Sequence, residues 1–223
     1  MNKVDYDNIS KGFSESRKNM RWEEIYYFIS DFLSDYKGKY FLDIGCGSAR
    51  LLEQFSINFD IDDINYLGVD LSIGMLEEAK KSYPNKDFLN LDMLNLDKIK
   101  DKKFDFIFLI ASFHHLQTLE ERVEVLEKIY SLLKPEGKVF FTNWFLNSPI
   151  NHDKYKKDII NDSENEFGSM DYNIYFGDYP RFYHCFTLDE LEYLFKKTGF
   201  EIIENGVFDT KKNFVSIIKK IGD

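Results

Sequence analysis

The sequence has few cysteines, no long apolar run and no excess of positive charge, and each shortage excludes a class of protein. Two cysteines in 223 residues give neither a disulfide framework nor a metal-ligand spacing. The longest apolar run, Phe106 to Phe113, is too short to cross a bilayer. The first residues lack the apolar segment of a secretion signal. We therefore expect a cytoplasmic protein with no membrane contact and no metal site.

Acidic residues outnumber basic ones by 39 to 29, which gives a formal net charge of −10. Lysine and arginine contacts to phosphates dominate affinity for nucleic acids, so this balance argues against a generally basic nucleic-acid binder. A local basic patch remains compatible with it. Basic residues cluster within residues 11–21, 154–157 and 211–220. The length and an apolar content of 43% predict one domain with a sizeable core.

The most informative stretch is a short apolar run that ends in an acid, turns through two glycines and enters a helical pattern. It reads Lys39-Tyr-Phe-Leu-Asp-Ile-Gly-Cys-Gly-Ser-Ala-Arg50. A strand that leads through a glycine turn into a helix forms a ligand site at the carboxyl end of a parallel sheet. Gly45 and Gly47 lack the Cβ atoms that would keep a ligand away from the backbone. We interpret Cys46 between them as a small residue.

A second acid, Asp70, ends the next strand pattern 23 residues after Gly47. At the tip of a neighbouring strand, this acid can accept hydrogen bonds from two ribose hydroxyls. The two acids and two glycines together resemble the cofactor site of class I S-adenosylmethionine-dependent methyltransferases. The resemblance implies S-adenosylmethionine as the cofactor, bound by Asp43, Gly45, Cys46, Gly47, Asp70, Leu71, Asp92, Met93 and Ile110. The third glycine usual in that family is replaced here by Ala49.

A dinucleotide site is the main alternative at this motif. Its fingerprint, G-x-G-x-x-G, requires a third glycine where this sequence has Arg50. A carboxylate at Asp43 contributes nothing to pyrophosphate binding, whereas it suits the cationic amino end of S-adenosylmethionine. A plain strand–turn–helix without a ligand is the remaining alternative.

Hydrophobic periodicity predicts that strands and helices alternate along the chain. A helix with apolar positions from Trp22 to Leu33 precedes the glycine motif. Strands are predicted at 66–70, 88–92, 104–110 and 138–144, and a closing antiparallel hairpin at 200–207 and 214–218. Ser72 is predicted to cap one helix, and capping boxes are predicted to begin others at Thr118 and Thr187. Residues 146–182 are polar and aperiodic, and we interpret them as a loop that forms a substrate lid.

These elements predict an α/β fold, with a Rossmann-like, doubly wound sheet and helices on both faces. The methyltransferase resemblance implies seven strands in the order 3-2-1-4-5-7-6, with strand 7 antiparallel. We expect a single domain over residues 1–223. Its parts are a substrate-side arm and helix (1–37), a cofactor-binding core (38–145), a lid insertion (146–182), and a last helix with a closing hairpin (183–223).

Four further pieces resemble one subfamily, the tRNA wobble-uridine carboxymethyl methyltransferases, which include the methyltransferase domain fused to the animal AlkB-type tRNA hydroxylase. The pieces are Phe13-Ser-x-x-Arg17, His114-His115-Leu, Trp144 and Arg181-Phe-Tyr-His184-x-Phe186. The resemblance implies that the acceptor is a carboxymethyl group at uridine C5 in the anticodon loop of tRNA. It also implies catalytic-site roles for Arg17, His115, Trp144, Arg181 and His184, and suggests a small zinc-binding activator subunit as a partner.

The chemistry of a carboxylate acceptor explains these residue types. A carboxylate has a pKa of about 4, so it is already ionised at neutral pH and needs no general base. Positioning can supply roughly 7–11 kcal/mol of the barrier reduction. We expect Arg17 and Arg181 to hold the carboxylate through charge-assisted bonds. We expect Trp144, Phe182 or Tyr183 to stack on the uracil.

Each of these residues also has an ordinary structural interpretation. His114 and His115 can be structural histidines, Arg181 a surface ion-pair arginine, Trp144 a core residue and Arg17 part of a flexible arm. Two other functions also remain open. A methyltransferase of a small metabolite is favoured by the acidic balance, and a non-catalytic S-adenosylmethionine-binding protein is disfavoured by the presence of both acids.

Overall fold

In the computed structural model, residues 22–161 and 165–221 are described, together with Gly12. The first part of the chain alternates strands and helices, as the periodicity predicts. Its elements are α1 (Glu23–Phe32), β1 (Tyr40–Ile44), α2 (Arg50–Phe55), β2 (Asn65–Asp70), α3 (Ile73–Ser82), β3 (Asp87–Asn90), β4 (Phe104–Ile110), α4 (Leu119–Leu132) and β5 (Leu133–Trp144). Short 3-10 turns occupy Met93–Lys98 and Phe113–His115.

The second part contributes a small sheet and the end of the main one. Its elements are α5 (His152–Tyr155), β6 (Ile159–Asn161), β7 (Met170–Phe176), β8 (Tyr179–Cys185), α6 (Leu188–Lys197), β9 (Phe200–Val207) and β10 (Asn213–Lys220). Among the described residues, no helix combines the length and the apolar character needed to span a bilayer.

The main sheet has seven strands in the order β3-β2-β1-β4-β5-β10-β9. Strands β1 to β5 pair in parallel, whereas β10 runs antiparallel to both β5 and β9. The predicted order and the predicted antiparallel strand are therefore confirmed. Because parallel strands end at the same edge, the polar residues that follow β1, β2, β4 and β5 come together there.

Helices cover both faces of the sheet over two apolar layers. On one face, α1 buries Ile25, Phe28 and Ile29, as the periodicity predicts. The rings of Phe108 and Phe140 stack beneath it, with centroids 5.0 Å apart. On the other face, α4 and α6 pack over a second layer. This burial on both sides explains the nearly continuous apolar sequence of β4.

The predicted helix caps are present, with one difference. The Ser72 hydroxyl accepts a hydrogen bond from the Met75 N–H, and Thr118 forms a complete capping box with Glu121. Thr187 accepts a hydrogen bond from the Glu190 N–H, but the Glu190 side chain turns into the protein interior. The second predicted capping box is therefore only half formed.

The prediction that residues 146–182 form a loop is wrong. Strands β6, β7 and β8 form a separate three-stranded antiparallel sheet, in which β7 and β8 pair from Met170↔Cys185 to Phe176↔Tyr179. Tyr172 and Ile174 are buried at alternate positions of β7, between residues with polar side chains. This alternation covers only a few residues within a segment of polar composition, so the sequence did not reveal the strand. Strand β8 also crosses the predicted boundary at 182, while the role of a substrate lid stays a prediction.

Candidate active site

The glycine turn after β1 needs glycine for two separate reasons. Gly45 has a φ of +75°, and a Cβ at this position would lie 2.4 Å from the Ser112 Cβ. Ser112 is fixed there because its hydroxyl donates a hydrogen bond to the Ile44 carbonyl at 2.6 Å. The turn is therefore packed directly against the loop that follows β4.

Asp70 joins this turn to the end of β2. Its Oδ2 accepts a hydrogen bond from the Gly47 N–H at 2.8 Å, and its Oδ1 accepts one from the Ser72 N–H at 2.9 Å. Beside this half-buried carboxylate, the apolar side chains of Leu71 and Ile73 are 47% and 57% exposed. An acid beside exposed apolar surface fits the ribose hydroxyls and the adenine of an adenosine group, so the residues present fit S-adenosylmethionine.

Asp43 lies behind the turn, with only 2% of its surface exposed. Its Oδ2 accepts a hydrogen bond from the Tyr66 hydroxyl at 2.7 Å. Burial raises the pKa of Asp43 to about 7, the Tyr66 hydrogen bond opposes this rise, and the charge of Asp70 adds to it. A direct contact between Asp43 and the amino end of the cofactor stays a prediction.

Cys46 and Ala49 show how the turn tolerates residues other than glycine. The Cys46 thiol is buried against Gly68, where an added Cβ would lie 2.9 Å from the sulfur. Burial holds the pKa of this thiol well above its ordinary value, which suits the interpretation of Cys46 as a small packing residue. Ala49 has a φ of +61°, a left-handed conformation that explains why glycine is usual at this position.

The remaining predicted cofactor residues lie at the same sheet edge. Asp92 follows β3 and accepts a hydrogen bond from the Leu94 N–H at 3.0 Å, which caps the 3-10 turn that begins at Met93. Ile110 is the last residue of β4 and is buried. The structure thus brings the nine predicted cofactor residues to the ends of four adjacent strands.

The two histidines after β4 have fixed hydrogen bonds. The His115 Nδ1–H donates to the Phe182 carbonyl at 2.7 Å, and burial lowers the pKa of His115 to about 4 despite this bond. The His114 Nδ1 accepts a hydrogen bond from the Trp144 N–H at 3.3 Å. Burial and the neighbouring His115 hold the pKa of His114 well below its ordinary value. A backbone hydrogen bond with Ala111 opposes this shift only in part, so His114 is neutral, and its Nε2 has no hydrogen-bond partner among the described residues.

Aromatic and cationic groups converge beside these histidines. The rings of Trp144 and Tyr183 stack with centroids 5.0 Å apart and planes inclined by 18°. The Tyr183 centroid also lies 4.9 Å and 4.7 Å from the His114 and His115 rings. The Arg181 guanidinium lies 5.3 Å from the Tyr183 centroid, and Arg181 is only 3% exposed. The interpretation of Arg181 as a surface ion-pair residue is therefore wrong.

His184 points away from this group, because successive side chains of β8 alternate between its two faces. Its Nδ1 lies 2.7 Å from Asp171 Oδ1, and its Nε2 lies 2.8 Å from Glu190 Oε2. Both ring nitrogens are thus engaged, so the geometry favours a positioning role, and a direct catalytic contact stays a prediction. Arg17 lies outside the described residues.

Three residues of this region were missed in the sequence. Arg122, Asp171 and Glu190 bind one another or His184 in the interior. Arg122 and Glu190 are separated by 68 residues. Their sequence positions fit an ordinary helix and a capping box, so no local signal distinguished them. The only available hint was Arg122, a charged residue on the apolar side of the helix that is predicted to begin at Thr118.

Comparison with known families now adds to this geometry. Residues 42–141 match a family model described as a methyltransferase domain. Over this segment the chain is similar to the class I S-adenosylmethionine-dependent methyltransferases. The matched segment begins one residue before Asp43 and runs into β5, so it contains both predicted cofactor acids and the glycine turn.

Relatives of this methyltransferase domain include enzymes with different acceptors. The tRNA (carboxymethyluridine(34)-5-O)-methyltransferase of Saccharomyces cerevisiae is 31% identical over 141 residues, which cover 63% of this chain and 47% of that protein. The Mus musculus ALKBH8 protein of the same description is 28% identical, covering 68% of this chain and 21% of that protein. Malonyl-(acyl-carrier protein) O-methyltransferase 1 of Ilyobacter polytropus is 26% identical, covering 63% and 53%. The chain thus spans at most 53% of the length of these relatives.

Solved structures with the same fold match nearly the whole chain. A methyltransferase of Methanosarcina mazei has a TM-score of 0.68 at 20% identity and covers 87% of this chain and 97% of its own. A chain from the complex of the Haloferax volcanii Trm112 methyltransferase activator with a methyltransferase has a TM-score of 0.73 at 15% identity, covering 99% and 100%. At these identities the likeness establishes the fold alone.

Proposed function

We propose that this methyltransferase domain transfers the methyl group of S-adenosylmethionine to a carboxylate, namely the carboxymethyl group of a wobble uridine in tRNA. The observation that carries the proposal is the composition of the acceptor side, by which we mean the group formed by His114, His115, Trp144, Arg181 and Tyr183. It combines a buried guanidinium, a buried ring nitrogen without a partner among the described residues, two aromatic faces and only neutral histidines. The two relatives described as carboxymethyluridine methyltransferases support it.

The two histidines favour an acceptor that arrives already ionised. Because the His115 Nδ1–H donates to Phe182, only Nε2 of this ring can accept a proton from a substrate. With a pKa of about 4, His115 is a weak base for an alcohol, an amine or a ring nitrogen. A carboxylate requires no base, since the bound sulfonium supplies the electrophilic methyl group and the acceptor oxygen is already negative.

The positive and hydrogen-bonding groups on this side suit a carboxylate as a ligand. The Arg181 guanidinium can make charge-assisted bonds to one or both carboxylate oxygens. The buried His114 Nε2 has no hydrogen-bond partner among the described residues, and a polar group of the substrate would satisfy it. The stacked Trp144 and Tyr183 provide aromatic surface of the kind that binds unstacked RNA bases.

An RNA substrate also needs positive charge near the site, despite the acidic balance of the whole chain. The β9–β10 turn packs against the segment after β5, since the Phe145 N–H donates to the Lys212 carbonyl at 2.9 Å. This contact brings the exposed Lys211 and Lys212 to the acceptor edge. The exposed Lys154 and Lys157 flank Tyr155, whose ring centroid lies 6.2 Å from that of Trp144. Within the described parts of the chain, none of these four lysines forms a salt bridge, whereas Lys219 at the opposite edge binds Glu136 and Glu201.

A methyltransferase of a small acid is the second candidate. It is favoured by the relative described as a malonyl-(acyl-carrier protein) O-methyltransferase and by the net charge of −10. The same arginine and histidine arrangement would bind its carboxylate. The two candidates therefore differ in the size and charge of the acceptor, and not in the chemistry of transfer.

The proposal includes a small activator subunit as a partner. The structural neighbour taken from a complex with the Trm112 activator supports this part of the proposal. Purification of the tagged protein from its own cells, followed by mass spectrometry of bound proteins, tests it. A stoichiometric small zinc-binding protein is the expected result, and a monomer that is fully active alone would contradict it.

The decisive test uses purified protein, S-adenosylmethionine and tRNA that carries carboxymethyluridine. We expect nucleoside mass spectrometry to detect the methyl ester, and no product on the same tRNA with unmodified uridine. Methylation of small dicarboxylic acids alone would favour the second candidate. Tight cofactor binding without any product, with the activator present, would indicate a non-catalytic binding protein.

A paired substitution tests the basic edge. Replacing Lys211 and Lys212 with alanine should raise KM for tRNA and reduce its salt dependence, because phosphate contacts release counterions. The reaction with the isolated nucleoside should not change. Lys80 and Lys81, two adjacent exposed lysines at the end of α3, form the matched control pair. An equal effect of the two pairs would contradict a role for this edge.

A further inference from the structure

Four charged side chains form a cluster behind β8, on the face opposite Arg181 and Tyr183. The Arg122 Nη1–H donates to Glu190 Oε1 at 3.0 Å. Glu190 Oε2 lies 2.8 Å from the His184 Nε2 and accepts a hydrogen bond from the Ser169 hydroxyl. The His184 Nδ1 lies 2.7 Å from Asp171 Oδ1. The side chains of Arg122, His184 and Glu190 are at most 5% exposed.

The hydrogen bonds account for every charged group in this cluster. An ionised carboxylate can only accept hydrogen bonds, and Glu190 accepts them from Arg122 and Ser169 while it also faces a ring nitrogen of His184. Burial would raise the pKa of Glu190, but His184, Ser169 and Arg122 together hold it below its usual value. Each charged side chain of the cluster therefore has a partner within it.

The acceptor site has two walls, namely β8 with Arg181 and Tyr183, and the segment from His114 to Gln117, which we call the histidine loop. Arg122 also binds the histidine loop. Its Nε–H and Nη2–H donate to the Leu116 carbonyl at 3.3 Å and 3.2 Å, and Nη2–H also donates to the Gln117 carbonyl at 3.1 Å. These two carbonyls directly follow His114 and His115. The guanidinium thus donates hydrogen bonds to the histidine loop on one side and to Glu190 on the other.

The chain of contacts links two segments that are distant in sequence. From the histidine loop it passes through Arg122, Glu190 and His184 to β8, which carries Tyr183 beside His184. The bond from His115 to the Phe182 carbonyl is a second, direct link between the same walls. Both links fix how far the histidine pair lies from Arg181 and Tyr183.

We propose that Arg122, Glu190 and His184 are positioning residues that set the spacing between the two walls of the acceptor site, with Asp171 fixing the His184 ring. The inference rests on the proposed function only in naming these walls as the acceptor site. Buried ion pairs are often no more stabilising than apolar residues of the same volume. Their directional bonds instead fix one arrangement of the groups that they join, and a site for in-line transfer depends on such placement.

Trp144 provides a readout that requires no substrate. Trp22→Phe leaves Trp144 as the single tryptophan of the sequence, and its ring stacks on Tyr183 in the wall that the cluster holds. In this background, Glu190→Ala should shift the Trp144 emission and increase its quenching by acrylamide. Glu190→Gln keeps one carbonyl acceptor for Arg122 and should recover part of the wild-type signal. The affinity for S-adenosylmethionine should stay within about two-fold, since the predicted cofactor residues at the ends of β1 to β4 take no part in these bonds.

Glu204→Gln is the matched control. Glu204 is a half-buried glutamate that accepts a hydrogen bond from the Tyr27 hydroxyl at 2.6 Å, and it lies in β9, away from both walls. This variant should leave the Trp144 emission unchanged, even where it lowers the melting temperature. If Glu190→Ala does not fold, Arg122→Lys replaces it, because an ammonium cannot serve Glu190 and two carbonyls together.

A second experiment measures the kinetics of methyl transfer to carboxymethyluridine tRNA. Glu190→Ala should lower kcat/KM for the acceptor by about a hundred-fold, as a misplacement of about 1 Å does, and Glu190→Gln by less. A folded Glu190→Ala or Arg122→Lys variant with wild-type Trp144 emission and wild-type kcat/KM would overturn the proposal. If the wild-type protein does not methylate this tRNA, the proposed function fails, and the emission data still decide the positioning role.

Discussion

The predicted cofactor half of the site, at the ends of β1 to β4, and the proposed acceptor half, around His114, Arg181 and Tyr183, share one sheet edge, but their bonds differ in the distance that they span along the sequence. In the cofactor half, Asp70 binds backbone N–H groups of Gly47 and Ser72, in the turns that follow β1 and β2. In the acceptor half, side-chain bonds span 67 residues from His115 to Phe182 and 68 residues from Arg122 to Glu190. The bonds of Asp70 span 23 and 2 residues, with one longer contact from Ser112 to Ile44 across 68 residues, whereas the second half consists of distant segments throughout.

This difference implies that substitutions in the two halves affect different properties of the protein. Changes in the glycine turn alter the backbone itself, so they should affect folding and cofactor affinity together. Changes in the acceptor half remove side chains from a scaffold that the main sheet already holds. We therefore expect acceptor-side variants to bind S-adenosylmethionine normally and to lose methyl transfer.

The largest expected effect concerns the buried acid behind the turn. Asp43 has a folded-state pKa of about 7, above its ordinary value of 3.8. The folded protein therefore keeps this proton where the unfolded chain has lost it. The stability from this group is complete at low pH and falls as pH rises from about 4 to about 7, by about 4 kcal/mol in total. Urea unfolding at several pH values should show this decline in wild type and not in Asp43→Asn, and equal slopes would contradict it.

Gly45→Ala should be nearly as damaging. The new Cβ would lie 2.4 Å from the Ser112 Cβ, and the backbone has a φ of +75°. Overpacking and the left-handed conformation together should cost about 3 kcal/mol. Gly177→Ala, at a positive φ with open space around it, is the control for the conformational part alone. Thermal unfolding in which both variants lose equal stability would show that contact with Ser112 is unimportant.

Arg181 and Asp70 provide a reciprocal test of the two halves. Arg181→Ala should remove a charge-assisted bond to the acceptor, which costs about 1.5–3 kcal/mol, or about ten- to a hundred-fold in rate. Arg181→Lys should recover only part of this loss. Calorimetry should find normal S-adenosylmethionine affinity for both. Asp70→Ala should weaken cofactor binding by about 2–3 kcal/mol. A cofactor affinity lowered equally by Arg181→Ala and Asp70→Ala would remove the distinction between the halves.

The smallest expected effect is that of Ala49→Gly. Ala49 is buried with a φ of +61°, so glycine would relieve about 1 kcal/mol of left-handed strain. It would also lose a buried methyl group worth about 0.8 kcal/mol. Stability should therefore change by less than about 1 kcal/mol. A loss well beyond this value in denaturant unfolding would mean that the methyl group has a packing role of its own.

The same contrast explains what the sequence could predict. The strand order and the nine cofactor residues were implied by the methyltransferase resemblance, which the contiguous glycine motif and Asp70 made visible in the sequence. The small sheet was missed because Tyr172 and Ile174 alternate with polar residues over a strand of only seven residues. The cluster of Arg122, Glu190 and His184 was missed because its bonds depend on tertiary packing. Glu190 in particular fits a capping box, although its side chain turns inward.

The central claim is that the acceptor is a carboxylate held between neutral histidines and Arg181. Single-turnover rates of methyl transfer to carboxymethyluridine tRNA, measured against pH at saturating S-adenosylmethionine, test it most directly. We predict a flat profile from about pH 6 to about pH 9, because the acceptor is already ionised and both histidines stay neutral. His115→Ala should leave its shape unchanged. A rise with a midpoint near about pH 7 that disappears in His115→Ala would show that the acceptor needs a general base, and would contradict the claim.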